Sequence, residues 1–232
     1  MPKTALITGA SRGIGAAIAE RLASLGYNLW LLGRAEDALR SVATEAEAKG
    51  VRVGIDAGEL SDEAFIKSTV VNAQEQLGPI DVLVNNAGQA LQQPIQQADV
   101  SRWRQVVDLN VNAVVSLSAK LIPGMIERQA GAVIHISSIM GRSTEAGSGI
   151  YSATKHAMNG LAGCMYEDVR DAGVKVSTIM PGFVATDMTS GFGMTDEHMI
   201  RAEDVADCVE FVLASSAYCC PTEIVLRPQR RP

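Results

Sequence analysis

Aromatic residues make up only 4% of this 232-residue chain, and it carries three histidines and four cysteines. Each shortage excludes something. Cys164, Cys208, Cys219 and Cys220 show neither Cys-x-x-Cys spacing nor a disulfide framework, and adjacent cysteines are hard to bridge, so reduced thiols are expected. His135, His156 and His198 lie far apart with no cysteine or carboxylate cluster at ligand spacing, which argues against a catalytic metal. A net charge of -6 leaves no basic footprint for nucleic acid, and Arg227, Arg230 and Arg231 read as a solvated tail. No apolar run approaches the roughly eighteen residues of a membrane span. The first apolar run starts too close to Met1 for a cleavable signal, so a cytoplasmic protein without a membrane partner is expected.

What is abundant is apolar: 47% of the residues are hydrophobic, enough for the core of one α/β domain spanning 1–232. Short β-rich runs near 3–8, 28–33, 51–56, 80–85, 132–138, 174–180 and 223–227 alternate with helical stretches, one of them long, from about 100 to 128. That alternation predicts a doubly wound, Rossmann-type parallel sheet of about seven strands with helices on both faces. Gly26 and Gly173 stand where helix C-caps belong. In such a sheet ligands bind beyond the carboxyl ends of the strands, and Gly9, Asn86, Ser138 and Pro181 all follow strand ends.

Thr8-Gly9-Ala10-Ser11-Arg12-Gly13-Ile14-Gly15 lies between the first apolar run and a periodic helix carrying Ile14, Ile18 and Leu22. Glycines there let the backbone approach a pyrophosphate, and the helix N-terminus favours its charge. The spacing differs from G-x-G-x-x-G, so this turn alone is weak evidence. Further along come Asn85-Asn86-Ala87-Gly88, Ser138, and Tyr151 with Lys155. Together these segments resemble the classical short-chain dehydrogenase/reductase family, whose pattern is a T-G-x-x-x-G-x-G turn, N-N-A-G, a serine and Y-x-x-x-K; the match spans about residues 3–226.

Dinucleotide sites that prefer NAD place an acid at the end of the second strand, whereas this chain has Gly33-Arg34. Arg34 and Arg12 suit a 2'-phosphate, so NADP(H) is the expected cofactor, although Glu36 and Asp37 lie close to Arg34. The resemblance implies further cofactor contacts from Ser11, Gly13, Ile14 and Gly15 and from Asn86, Ala87 and Gly88. Glu59-Leu60 stands where relatives have Asp and an aliphatic residue beside the adenine. Pro181, Gly182 and Val184 lead to Thr186, the implied carboxamide partner, which also reads as a helix N-cap. Asn85 reads as a pin between strands.

Tyr151 and Lys155, four apart, share one helix face. A phenol near ~10 is a poor base, but an ammonium and a positive nicotinamide beside it favour the phenolate. Tyr151 is then the acid in carbonyl reduction and the base in the reverse reaction, with Lys155 tuning it and holding the ribose. Ser138 steadies the substrate oxygen; Ser137 is also available, but consecutive strand side chains face opposite ways. The resemblance implies an asparagine that positions a water near the lysine, with Asn110 favoured over Asn112.

The substrate is less legible. Residues 187–200 stand where relatives carry a lid, with Gly191 and Gly193 as hinges and Phe183, Met188, Phe192 and Met194 as an apolar underside; a plain packed loop fits as well. Gln89 to Gln97 reads as a polar loop near the entrance, and Arg142 as either an anion contact or a solvated residue. The glycine turn and Pro181–Met188 resemble 3-oxoacyl-thioester reductases, yet Ile224-Val225-Leu226-Arg227-Pro228 replaces the Gly-Gly turn common there. A carbonyl or alcohol substrate and a homodimer or homotetramer are expected. The alternative is a non-catalytic NADP(H)-binding scaffold or redox sensor.

Overall fold

A computed structural model describes residues 2–189 and 196–230. Among these described residues, seven strands form one parallel sheet: β1 (Thr4–Thr8), β2 (Asn28–Gly33), β3 (Val53–Ala57), β4 (Val82–Asn85), β5 (Gly131–Ile136), β6 (Val174–Pro181) and β7 (Glu223–Leu226), in the order β3-β2-β1-β4-β5-β6-β7. β1 and β2 are buried along their whole length because helices cover both faces. Ala5 and Ile7 face α1 (Gly13–Ser24), α2 (Glu36–Glu47) and α7 (Ala202–Ala214). Leu6 and the Trp30 ring face α3 (Glu63–Leu77), α5 (Ala113–Glu127) and α6 (Gly149–Val169). Gly26 and Gly173 take positive φ, +83° and +70°, where a left-handed residue ends a helical segment.

The winding reverses between β1 and β4, so a crevice opens above their carboxyl ends. Three strands differ from the sequence expectation by two residues at an edge. β3 and β4 each begin two residues late, and β5 stops at Ile136, because Ser138 leaves the ladder to cap the short turn Ile139–Gly141.

The expected long helix runs from α4 (Val100–Val107) through one π turn, Asp108–Asn112, into α5. By length and composition this helix could cross a membrane, contrary to the expectation that no apolar run approaches a membrane span. Its α5 half packs Ala113, Leu117, Leu121 and Met125 onto the sheet, the behaviour of a core helix.

Candidate active site

The glycine turn is held from the neighbouring strand. Thr8 Oγ1 accepts hydrogen bonds from the Asn86 and Ala87 amides, at 3.0 and 2.9 Å, and donates to the Val84 carbonyl. Asn86 Nδ2 donates to the carbonyls of Thr8 and Gly9, at 2.9 and 3.1 Å. Asn86, expected only to line the cofactor, is therefore itself the brace between β1 and β4. Asn85 pins β4 to β5, with Nδ2 3.3 Å from His135 Nδ1.

Gly9 and Gly13 have φ of +64° and +55°, which side-chain-bearing residues rarely adopt. A Cβ on Gly15 would collide with the Gly9 carbonyl and stand 2.6 Å from Asn86 Nδ2. Arg12 makes no side-chain cap, whereas α3 and α4 are capped by Asp62 and Asp99, so the first amides of α1 stay free for an anion. Ile14 is partly buried against the core below.

Both arginines expected to meet a 2'-phosphate stand at this mouth and are ion-paired. Arg12 binds Asp187 at 2.7 Å, and Arg34 faces Glu59 at 3.7 Å. Glu36, one of the acids expected to blunt Arg34, is paired with Arg40 instead. Ser11 lies beside Gly33, where a Cβ would come within 3.4 Å of its hydroxyl. Leu60 is buried in the sheet's α3 face.

The catalytic candidates converge on the other side of the crevice. Ser138 is buried; its Oγ accepts from the Met140 amide at 3.1 Å and lies beside the Tyr151 phenol. Ser137 turns the opposite way, donating to Asn159 Oδ1 at 2.7 Å. Lys155 Nζ, also buried, lies 5.7 Å from the centre of the Tyr151 ring and donates to the Ile136 carbonyl at 2.9 Å.

Asn110, inside the π turn, is fully buried: Oδ1 accepts from the Gln89 amide, and Nδ2 donates to the Gln89 carbonyl and Thr154 Oγ1. Asn112 is exposed and bonded to Asp108. Within the π turn Asn110 thus points inward and Asn112 outward. Thr154, a partner that no sequence pattern indicates, links Asn110 to the Tyr151 helix.

Burial dominates the titration of this cluster. It pushes the Tyr151 phenol up, with the Ser138 hydrogen bond pulling the other way. The lowering expected from an ammonium together with a nicotinamide charge is not seen from Lys155 alone; its Nζ donates to the Ile136 carbonyl, and the opposing pull comes from Ser138. Burial brings Lys155 down to about 8. His135, whose role no motif indicates, is brought down to about 4 by burial and then by the Lys155 charge.

On the substrate side, the Gly182 amide donates to Leu226, and Val184 bridges to Ile200. The Ala185 amide donates to the Ile200 carbonyl and the Ile200 amide to the Phe183 carbonyl, so the segment expected as a lid leaves and returns at one closed base beside Pro181. Its residues 190–195, including Gly191, Phe192, Gly193 and Met194, lie outside the described residues. Thr186 begins a turn rather than a helix, and its methyl would lie 3.2 Å from a Cβ on Gly13. Arg142 is bound to Glu223, which answers its charge within the protein.

These residues fit a nicotinamide dinucleotide. Gly88 leaves open the space beside Lys155, where a Cβ would stand 3.6 Å from Nζ and 3.5 Å from Asn110 Oδ1, and the Ala87 backbone lies against Gly9. Residues 3–196 match the short chain dehydrogenase family model. An uncharacterized oxidoreductase of Staphylococcus aureus strain USA300 is 32% identical over 226 residues, 97% of each chain.

Among solved structures, a metagenomic short-chain oxidoreductase in complex with NADP is 31% identical with a TM-score of 0.87, covering 99% of this chain and 98% of that one. L-sorbose reductase from Gluconobacter frateurii, complexed with NADPH and L-sorbose, is 29% identical with a TM-score of 0.90, covering 98% and 95%. With sheet order, crevice and matching sequence in agreement over nearly the whole length, the chain belongs to the short-chain dehydrogenase family.

Proposed function

We propose that this protein is an NADP(H)-dependent oxidoreductase that interconverts a carbonyl compound and its secondary alcohol. The observation that carries the reading is the convergence at the crevice of the buried Ser138 hydroxyl, the Tyr151 phenol and, one helical turn on, a buried Lys155. Relatives bound to NADP and NADPH support the cofactor, as do Arg12 and Arg34 at the mouth.

When bound, NADPH supplies the hydride for the carbonyl carbon. Ser138 Oγ and Tyr151 Oη hold the carbonyl oxygen from two sides and stabilise the negative charge that grows there. Tyr151 donates its proton to that oxygen. A phenol kept protonated by burial suits the reductive direction, since it arrives as an acid. Lys155 Nζ, fixed by the Ile136 carbonyl 5.7 Å from the centre of the Tyr151 ring, would hold the nicotinamide ribose, and its charge acts together with the nicotinamide's in favour of the phenolate left behind. Asn110 ties the loop at Gln89 to Thr154 and so keeps the Lys155 side of the crevice in register.

The α4–α5 helix exposes Val100 and Val115, which supports assembly as a homodimer or homotetramer. NADPH oxidation against ketones, hydroxy ketones, aldehydes and 3-oxoacyl esters tests the assignment. Turnover is expected for at least one class, and Tyr151→Phe should abolish it while NADPH still binds. Tight binding with no turnover of any carbonyl would favour the scaffold or sensor instead.

A further inference from the structure

Glu59 stands out at the cofactor mouth because it places a carboxylate where a phosphate-binding arginine works. Arg34 directly follows β2, and Glu59 lies two residues past β3. The two strand ends are stitched together: Gly33 is in register with Ala57, and the Gly58 amide donates to the Gly33 carbonyl at 2.9 Å. Buried Leu60 and the bond from the Asp62 amide to the Glu59 carbonyl fix the backbone that carries Glu59. The carboxylate lies 3.7 Å from the Arg34 guanidinium, too far for a good hydrogen bond, and both side chains are mostly exposed. The guanidinium therefore keeps donors for an anion while an acid sits at its flank.

We propose that Glu59 is a specificity-determining residue that weakens the preference for NADPH over NADH. A carboxylate this close to the guanidinium that binds a 2'-phosphate repels that phosphate and competes for the same donors. In this chain the acid comes from the end of β3, while the end of β2 supplies the opposing arginine. NADPH must win Arg34 from Glu59, whereas NADH, which carries no 2'-phosphate, does not compete for the guanidinium. Arg34 and Glu59 thus pull the site in opposite directions, and Arg34 prevails because a guanidinium pairs more strongly with a phosphate than with a carboxylate held off at this distance.

This inference rests on the NADP(H) assignment above, and one experiment separates the two. NADPH and NADH are titrated by nicotinamide fluorescence into the full chain and into Glu59→Gln. Removing one exposed charge near a phosphate should tighten NADPH by roughly fivefold, with NADH unchanged or weaker. Glu59→Asp, which draws the carboxylate back from Arg34, should give part of the NADPH gain. Thermal melting should be unchanged, since Glu59 is exposed. A wild-type chain that binds NADH more tightly than NADPH overturns the cofactor assignment and this inference with it. A wild-type chain that prefers NADPH, with Glu59→Gln weakening NADPH or shifting both cofactors alike, overturns this inference alone.

Discussion

Lys155 is expected to cost the folded protein stability, and replacing it with methionine should recover part of that cost while ending catalysis. The ammonium is almost fully buried and holds its proton only up to about pH 8, against 10.5 for an unperturbed lysine. That gap corresponds to about 3 kcal/mol against the charged form in the folded state.

The sign follows from linkage. Between pH 8 and 10.5 the unfolded chain binds the proton and the folded chain does not, so stability rises with pH across that window. Below pH 8 the full cost is present; above 10.5 it is gone. Lys155→Met also leaves the Ile136 carbonyl without its donor, a pH-independent loss of about 1–3 kcal/mol.

Urea unfolding at pH 7 and at pH 10.5, with wild type and variant side by side, separates the two contributions. At pH 7 the variant should match or exceed wild type. At pH 10.5 it should fall behind by about 3 kcal/mol relative to that comparison. A stability difference that stays constant with pH would refute the reasoning, because it would mean that Lys155 titrates alike in both states.

Two other substitutions probe the frame around the site. Gly15→Ala sets a methyl against the Gly9 carbonyl and the Asn86 amide, so its urea midpoint should drop by the equivalent of about 3 kcal/mol and NADPH should bind more weakly; a wild-type midpoint would contradict the packing. His135 holds its proton only below about pH 4, against 6.5 when free, so its contribution is intact above pH 6.5 and is lost as pH falls from 6.5 to 4. His135→Asn should remove that acid sensitivity, worth about 3 kcal/mol, and acid titrations that superimpose for the two proteins would count against it.

Much of the site is legible in the chain because its signals are local. Alternating apolar runs predict seven parallel strands, since period and burial in a two-sided sheet depend on neighbouring residues only. The glycine turn, the Tyr151–Lys155 spacing and Ser138 at a strand end are likewise local, and the fold places them around one crevice. Strand edges are less legible: β5 ends early because the Ser138 cap replaces ladder pairing, a competition no period reports.

The sequence by itself determined the sheet, the crevice at its carboxyl edge and the residues that meet there. Only the tertiary structure decided how those residues are charged and paired. Arg12 with Asp187 and Arg142 with Glu223 join positions 175 and 81 residues apart, and such pairings depend on where distant strands end. The tyrosine's titration is of the same kind, since burial raises it while Ser138, from the end of a distant strand, pulls the other way, neither of which helix spacing reveals.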